Sequence, residues 1–317
     1  MKPTNLVVIG ASEGGVQGIQ SLLAALAADF SGAVLVVLHI GAHQSNFPWL
    51  LNQRGPLPAS HPKDGDPIEA GHVYIAPPDH HMIVEPGRIR LTKGPRENWV
   101  RPAIDPLFRS AARAYGSNVI GIVLTGGLSD GTAGLYEVKQ WGGTTIVQSP
   151  DDCTNPSMPL SALQHVEVDY CVPLVEMPML LARLDAASET LSQASDTKDE
   201  AMTAEFTEET PVAVTCPDCG GALRRTELGS LTQFRCHIGH IYTADVMLAA
   251  QFLVLERALE TAMRSIGERA ELCRQMADKT DTVGEAGERA AWHTAMHQAH
   301  VQMASVAKML DHDWVHP

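Results

Sequence analysis

The sequence predicts an α/β fold: a doubly wound, mainly parallel sheet with flanking helices, followed by a small zinc-ribbon element and a C-terminal helical hairpin. Three observations lead to this prediction. Short runs rich in Val and Ile alternate with helical patterns, two cysteine knuckles follow an acidic stretch, and the C-terminal part has helical periodicity. With 317 residues and 44% hydrophobic content, the chain can bury one sizeable core and still carry a smaller appendage.

The first predicted element is an apolar strand that ends in a glycine-rich turn, with the sequence LVVIGASEGG over residues 6–15. Helical periodicity follows over residues 16–26. A G-x-S-x-G turn between strand and helix exposes the serine hydroxyl and directs the free N–H groups of the helix towards a nearby oxyanion. This pattern predicts that Ser12 is a nucleophile.

Two further residues are candidate partners of Ser12. His39 follows a second apolar strand over residues 33–38, and Asp130 lies just beyond a third over residues 119–124. Open α/β sheets place their sites at the carboxyl ends of the strands, where all three residues are expected. The sequence therefore predicts a Ser-His-Asp catalytic triad.

A strand–glycine–helix turn can also bind phosphate, as in dinucleotide-binding proteins. The spacing argues against that alternative, because the G-x-G-x-x-G order is absent. In addition, His39 stands after the second strand, where a dinucleotide site would have an acidic residue. The three residues together favour a nucleophilic site over a phosphate loop.

In these settings, Ser12, His39 and Asp130 resemble the catalytic domain of the CheB family, the chemotaxis protein-glutamate methylesterases. The order of nucleophile, histidine and aspartate is that of the family and differs from the order in α/β-hydrolases. The resemblance covers about residues 4–185 and includes the stretches 71–81 (GHVYIAPPDHH), 101–111 (RPAIDPLFRSA) and 130–135 (DGTAGL).

The chain departs from the family pattern at two positions. Better-known members have a small or hydroxylic residue after the nucleophile and a methionine in the glycine-rich loop, where this chain has Glu13 and Gly127. Main-chain N–H donors survive both changes, so Glu13, Gly126 and Gly127 are predicted to line the cleft or bind the oxyanion. A carboxylate at Glu13 would oppose an oxyanion unless it points to solvent, as an acid in the first turn of a helix can.

The resemblance implies a serine carboxyl-ester hydrolase that removes methyl groups from glutamate methyl esters of chemoreceptors, with glutamine deamidation as an associated activity and no catalytic cofactor. Arg101 and Asp105 are candidates for lining the cleft, although Asp105, which precedes Pro106, is also a suitable helix N-cap. The alternative is a catalytically impaired signalling adaptor that binds partners through the C-terminal tail.

Regulation is expected to differ from that of most family members, which begin with a phosphorylatable receiver domain. Here the first strand of the catalytic domain begins near Asn5, so we expect no receiver in this chain. Control is then expected from a partner in trans or from the tail. Expected partners are a methylated chemoreceptor or similar protein, and a methyltransferase or histidine kinase.

Composition limits the other classes of function. The net charge is −14 and no basic stripe is present, which argues against nucleic-acid binding. No apolar run approaches the roughly 20 residues of a membrane span, and residues 1–5 do not resemble a signal peptide. We therefore expect a cytoplasmic protein that does not insert into the membrane, with six cysteines serving as thiols or metal ligands.

A second chemical signature lies beyond the predicted linker. Cys216 and Cys219 form a C-x-x-C knuckle, and Cys236 and His240 form a second knuckle. Three thiolates and an imidazole complete a tetrahedral shell, which predicts a structural zinc site with His240 favoured over His237 as the fourth ligand. The alternative is a redox C-x-x-C, but such motifs begin a helix within a βαβ unit rather than lie in a short ribbon.

The rest of the chain is predicted to be a flexible linker and two helices. Residues 186–210 contain seven acidic residues and one lysine, with little that could pack. Residues 245–279 and 285–310 have helical periodicity and suggest an antiparallel hairpin. The predicted division is a catalytic domain over residues 1–185, a linker over 186–211, a zinc ribbon over 212–244 and a helical hairpin over 245–317.

Overall fold

The computed structural model describes residues 3–39, 45–192, 210–280 and 286–311. Two compact units divide the chain, Met1–Met247 and Leu248–Pro317. The first unit therefore includes both the predicted catalytic domain and the predicted ribbon. The four-part division drawn from the sequence stays a prediction.

The strands of the described residues up to 192 follow the apolar runs of the sequence. They are β1 (Leu6–Ala11), β2 (Ala33–Leu38), β3 (Ala59–Ser60), β4 (Val73–Ile75), β5 (His81–Glu85), β6 (Arg88–Thr92), β7 (Val119–Val123), β8 (Thr144–Gln148) and β9 (Tyr170–Val172). The helices between and after them are α1 (Gly15–Ala24), α2 (Phe47–Asn52), α3 (Ile104–Tyr115), α4 (Thr132–Gln140), α5 (Ser157–His165) and α6 (Met177–Ser192).

Seven of these strands form one sheet in the order β3-β4-β2-β1-β7-β8-β9, and every pair in it is parallel. All residues of β1, β2 and β7 are buried, because apolar clusters cover both faces of the sheet. The predicted doubly wound sheet is confirmed. Strands β5 and β6 pair separately as an antiparallel hairpin.

Strand β1 lies between β2 and β7. The strands that follow it in the chain are added first on the β2 side of the sheet and then, from β7 onward, on the other side. This arrangement creates a topological switch point at the carboxyl ends of the three strands. Ser12 follows β1 and His39 follows β2 directly, while Asp130 lies seven residues after the end of β7. The fold therefore brings the three candidate residues to one edge of the sheet.

A second, antiparallel sheet contains β10 (Thr210–Thr215), β11 (Ala222–Leu228), β12 (Leu231–Cys236) and β13 (Ile241–Thr243), in that order. We call this four-stranded sheet the ribbon. Its small core contains Leu223 and Tyr242, and Trp99 from the first sheet's domain packs against it. The ribbon is therefore docked on the α/β part of the same compact unit.

The predicted helical hairpin is present as α7 (Ala244–Thr280) and α8 (Ala286–Leu310). Small side chains are buried along both helices, among them Ala270 and Ala277 in α7 and Ala299 in α8. Among the described residues, no helix combines the length and the apolar character that crossing a membrane would require.

The predicted linker differs from the structure at both ends. Helix α6 continues past residue 185 to Ser192, because the intervening residues include neither Gly nor Pro to end it. At the other end, β10 begins at Thr210, before the predicted start of the ribbon at residue 212. Residues 193–209, the remainder of the predicted linker, lie outside the described residues.

The first turn of α3 packs directly against β1 at Gly10. A Cβ atom on Gly10 would lie only 2.4 Å from Cγ2 of Ile104, the first residue of α3. Real Cβ atoms do not approach a neighbour so closely, so only glycine allows the helix this position.

We expect Gly10→Ala to lower the free energy of unfolding by about 1–3 kcal/mol, because the added methyl group overpacks the contact with Ile104. Urea unfolding measures this change. Gly94→Ala is the matched control, since its nearest atom would be Thr92 Oγ1 at 3.6 Å. Equal destabilisation by the two substitutions would contradict this account of the contact.

Candidate active site and candidate metal centre

Ser12 lies in a tight turn between β1 and α1. The N–H of Ser12 donates to the carbonyl of Thr125 (3.0 Å), and the N–H of Gly15 donates to the carbonyl of Ser12 (2.9 Å). Gly14 has a φ of 78°, in the left-handed region that favours glycine. A Cβ on Gly126 would lie 2.8 Å from Ser12 Cβ, so the glycine lets the two loops meet. The turn leaves Ser12 half-buried at the sheet edge.

His39 and Asp130 form a hydrogen-bonded pair beside this turn. His39 Nε2 lies 3.0 Å from Asp130 Oδ2, and both side chains are largely shielded from solvent. With Nε2 bonded to the carboxylate, Nδ1 is the ring nitrogen left to accept a proton. Within the described part of the chain, no hydrogen bond joins the Ser12 hydroxyl to His39. Such bonds are often loose before substrate binds.

The carboxylate of Asp130 is held by the amino end of α3. The N–H of Ile104 donates to Oδ2 (2.7 Å), and the N–H of Asp105 donates to Oδ1 (3.3 Å). Asn98 Nδ2 donates to Oδ1 at 2.9 Å. Burial opposes ionisation, but the hydrogen bond and charge of His39, together with the bonds from Ile104 and Asn98, outweigh it and lower the pKa of Asp130. The aspartate is therefore ionised and fixed in direction.

Asp105 does not cap its own helix, in contrast to the capping role suggested by its position before Pro106. It lies inside α3, fully buried, and its Oδ1 accepts from the N–H groups of Gly131 (3.0 Å) and Gly134 (2.7 Å) at the start of α4. Burial and the charge of Asp130 raise the pKa of Asp105 well above its usual range. Of the two carboxyl groups, that of Asp130 is therefore the one that ionises first.

Arg101 connects Asp79 to the loop that contains Gly94. Its guanidinium donates to Asp79 Oδ1 through Nε (3.0 Å) and Nη2 (2.6 Å), and to the carbonyl of Gly94 (2.7 Å). These bonds account for its side chain without a contact to Ser12 or His39.

The three predicted oxyanion or cleft residues differ in what they offer. The N–H of Gly126 donates to the carbonyl of Asn155 (2.9 Å), so this amide is not available to an oxyanion. Gly126 instead provides the close approach to Ser12. Among the described residues, the N–H groups of Glu13 and Gly127 have no hydrogen-bond partner, which leaves them as the candidate donors.

The Glu13 side chain is exposed, and its Oε2 accepts from Asn155 Nδ2 (2.9 Å). Thr125 Oγ1 also links the Ser12 turn to the loop that contains Asn155. It donates to the carbonyl of Glu13 (2.9 Å) and accepts from the N–H of Asn155 (2.9 Å). The carboxylate is therefore tied to the neighbouring loop at the protein surface.

The structure brings Cys216, Cys219, Cys236 and His240 together in the ribbon, with their ligand atoms all within 4.8 Å of one another. Cys219 Sγ lies 3.7 Å from Cys236 Sγ. His240 Nδ1 lies 3.4 Å from Cys236 Sγ and 3.6 Å from Cys216 Sγ. A tetrahedral zinc site has edges of about 3.8 Å between sulfurs and about 3.6 Å from sulfur to nitrogen. The cluster could therefore hold such an ion.

A carboxylate lies close to this cluster. His240 Nε2 lies 3.9 Å from Asp218 Oδ2, and the Tyr242 hydroxyl donates to the same oxygen at 2.6 Å. The distance to Nε2 exceeds that of a hydrogen bond, so Asp218 is a nearby charge and not a bonded partner of the imidazole. His237 is not part of the cluster, since its side chain is exposed and lies against Gly221.

Two buried polar residues, between the candidate active site and the ribbon, have no local sequence pattern that marks them. Asn98 bonds to Asp130 and Asp105, and Ser129 Oγ lies 2.7 Å from Thr243 Oγ1 and donates to Asp245 Oδ1 (2.8 Å). Both belong to irregular loops, where no periodicity marks a residue as buried. Their partners lie far away in the sequence, so only the fold reveals them.

Comparison with known proteins points to one family. The family model described as CheB methylesterase matches residues 7–181. Relatives from Methanosarcina acetivorans and Anaeromyxobacter dehalogenans, both named protein-glutamate methylesterase/protein-glutamine glutaminase 2, are 35% and 37% identical over 191 and 180 residues. These matches cover 57% and 56% of this chain, and 54% and 53% of the relatives. The chain thus spans about half the length of these two proteins.

A Leptospira interrogans protein, which carries a provisional name as the same enzyme, is 36% identical over 182 residues, covering 56% of this chain and 94% of that protein. Among solved structures, the Thermotoga maritima CheB methylesterase catalytic domain matches with a TM-score of 0.55 and 33% identity. That match covers 57% of this chain and 98% of the Thermotoga chain. The similarity therefore lies in the α/β part.

We expect Glu13→Gln to change the rate at which a fluorophosphonate probe labels Ser12 by less than about fivefold. The carboxylate bonds to Asn155 at the exposed surface, where water reduces its interaction with a nearby charge to about 1 kcal/mol or less. Glutamine keeps an acceptor for Asn155, so the loop is preserved. A tenfold faster reaction in the variant would show instead that the carboxylate opposes the oxyanion.

Proposed function

Because the chain belongs to the CheB methylesterase family, we propose that it hydrolyses glutamate methyl esters on chemoreceptors, with Ser12 as the nucleophile. The observation that carries the proposal is the His39–Asp130 pair, which lies beside the Ser12 turn at the carboxyl ends of β1, β2 and β7. Strand-end placement of a serine, a histidine and a buried ionised aspartate supports acyl transfer through a covalent intermediate.

In the proposed mechanism, the Ser12 hydroxyl attacks the ester carbonyl while His39 Nδ1 accepts its proton. Asp130 holds the proton of Nε2 and stabilises the imidazolium that forms. The N–H groups of Glu13 and Gly127 are the proposed donors to the oxyanion. When the tetrahedral intermediate collapses, the proton passes from His39 to the departing methoxy group, and methanol leaves.

The second half of the reaction repeats these roles with water. His39 removes a proton from the attacking water, and the acyl–Ser12 bond breaks to release the glutamate carboxylate. A glutamine side chain would form the same acyl intermediate with ammonia as the leaving group. We therefore include glutamine deamidation among the proposed activities.

We propose that the protein works in the cytoplasm, since the family's substrates are the methylated cytoplasmic helices of chemoreceptors. As a further partner, we propose either a methyltransferase that acts on the same receptors or a histidine kinase that controls the pathway. Recognition of the receptor depends on the surface around Ser12.

The test is methanol release from methylated cytoplasmic fragments of chemoreceptors. We expect Ser12→Ala to reduce release by roughly 1,000-fold or more, because the variant has no nucleophile for the acyl step. Ser117→Ala is the matched control: Ser117 is exposed at the opposite edge of the sheet, just before β7, and its loss should leave the rate unchanged.

Two results would contradict the proposal. Release that persists in Ser12→Ala would exclude this serine as the nucleophile. A full-length protein that neither releases methanol nor reacts with a fluorophosphonate probe would favour the adaptor alternative, in which the tail carries the function.

We further propose that the four-residue cluster of the ribbon binds a structural zinc ion. Its support is the set of three cysteines and one histidine, whose ligand atoms are spaced as the corners of a tetrahedral site. An ion there would be closed off by four protein ligands and would stabilise an element whose own core is small.

The purified protein is expected to contain about one equivalent of zinc, and Cys219→Ser is expected to reduce it below about half an equivalent. Elemental analysis measures the metal content. Cys171→Ser is the control, since Cys171 is also exposed but lies in β9, outside the cluster. Zinc-free protein with Cys216 and Cys219 joined in a disulfide would favour the redox alternative.

A further inference from the structure

One buried side chain, Asn98, connects the ribbon to the aspartate of the candidate triad. Asn98 is 4% exposed and lies in the segment before α3. Its Nδ2 donates to Asp130 Oδ1 (2.9 Å) and to Asp105 Oδ2 (2.7 Å). Its Oδ1 accepts from the N–H of Thr243 in β13 (3.1 Å). The amide group therefore has carboxyl groups on its nitrogen side and the ribbon on its oxygen side.

The contact with the ribbon determines the direction of this amide. In the reversed orientation, the Asn98 oxygen would face the carboxyl oxygens of Asp105 and Asp130, and its NH₂ group would face the N–H of Thr243. The Asn98 oxygen would then meet the ionised carboxylate of Asp130, and its NH₂ group would meet another donor, which is strongly unfavourable away from water. The main-chain N–H of Thr243 thus favours the orientation in which Asn98 donates to Asp130.

The main chain of Asn98 is held by the same strand. Its N–H donates to the carbonyl of Ile241 (2.7 Å), and the N–H of Ile241 donates to the carbonyl of Arg96 (3.4 Å). Asn98 has a φ of 49°, in the left-handed region that Asn tolerates better than most residues. The outer edge of β13 therefore positions both the backbone and the side chain of Asn98.

Asn98 is the closer of the two donors to Asp130 Oδ1. The other donor, the N–H of Asp105, is 3.3 Å away. Without Asn98, Oδ1 would keep only the longer bond, and the N–H of Ile104, 2.7 Å from Oδ2, would be the main remaining restraint on rotation of the carboxylate about its Cβ–Cγ bond. Any such turn would move Oδ2 away from His39 Nε2, with which it pairs at 3.0 Å.

We propose that Asn98 is a positioning residue for the esterase reaction, and that the ribbon, through the N–H of Thr243, holds Asn98 in the orientation that aims Asp130 at His39. This inference rests on the proposed function and gives the ribbon a part in the reaction without contact with substrate. Ser129 supports the same connection, because its hydroxyl bonds to Thr243 and Asp245 directly beside Asp130.

The test uses the full chain and substitutions on both sides of the contact. Asn98→Gly removes the amide and tolerates the positive φ, whereas Asn98→Asp keeps the size of the side chain but replaces its donor with oxygen. Thr243→Pro leaves the Asn98 side chain unchanged and removes the main-chain donor and the hydroxyl, while its ring also fixes φ at this position. Thr243→Val is its matched partner, since it loses the hydroxyl but keeps the N–H.

Two readouts distinguish positioning from a general loss of structure. The first is the limiting rate of Ser12 labelling by a fluorophosphonate probe together with the probe concentration at half-saturation. The second is the downfield proton resonance of the His39 imidazole N–H that bonds to Asp130, which NMR detects without any turnover. Metal content and melting temperature report whether each variant retains its fold.

We expect both Asn98 variants and Thr243→Pro to lower the limiting labelling rate by about 10- to 100-fold, with half-saturation changed by less than about twofold. The His39 resonance should shift or disappear in the same variants. Thr243→Val should be affected far less than Thr243→Pro. Ser230→Ala is expected to label at the rate of the unmodified protein, because it breaks a different contact of the ribbon, the one with His165 Nδ1 (2.9 Å).

A folded Thr243→Pro protein that labels at the normal rate with an unchanged His39 resonance would overturn the proposal. Equal losses in Thr243→Pro and Thr243→Val would also overturn it, since the hydroxyl rather than the N–H would then carry the effect. If proline prevents folding, an ester in place of the Thr243 amide removes the same N–H without the ring. Slow labelling in these variants would support positioning even if the unmodified protein released no methanol, a result that would overturn only the proposed function.

Discussion

The buried carboxylate of Asp130 is the group on which the arrangement of this site depends. Its two oxygens accept from four donors: the first N–H groups of α3, the imidazole of His39 and the amide of Asn98. A charge in the interior is tolerated only when such donors replace water. Because the donors come from separate segments, keeping this one charge requires β2, α3 and the loop before α3 to hold a fixed relation to each other.

The sheet and the three triad candidates could be predicted from the sequence because both depend on local patterns. Runs such as residues 33–38, short and rich in Val, are typical of buried strands, and their ends define where a parallel sheet gathers polar residues. Asp105 could not be predicted in the same way. Its position before Pro106 resembles a cap of its own helix, but its carboxyl group instead serves the N–H groups of α4, a tertiary contact without a local signal.

The ribbon shows the same limit of sequence reasoning. The spacing of its cysteines and histidine indicates which side chains can converge, because knuckle geometry is local. Its place against the α/β domain cannot be read from spacing, since the contacts are main-chain groups of β13 and an asparagine more than one hundred residues away. The segment around Asn98 covers the outer edge of β13, so β13 does not present unpaired main-chain groups to other chains along this stretch.

The family model matches the chain as far as residue 181, whereas the hydrogen bonds that lead from the candidate triad continue to Thr243. The first limit is where the family model ends, and the second is where the contacts of Asn98 end. A protein that ended at residue 181 would keep every residue of the candidate triad. The oxygen of Asn98 would then face water, which can donate from many directions and favours none. On the proposed role of Asn98, the smallest unit able to maintain this candidate active site is larger than the domain by which the family is recognised.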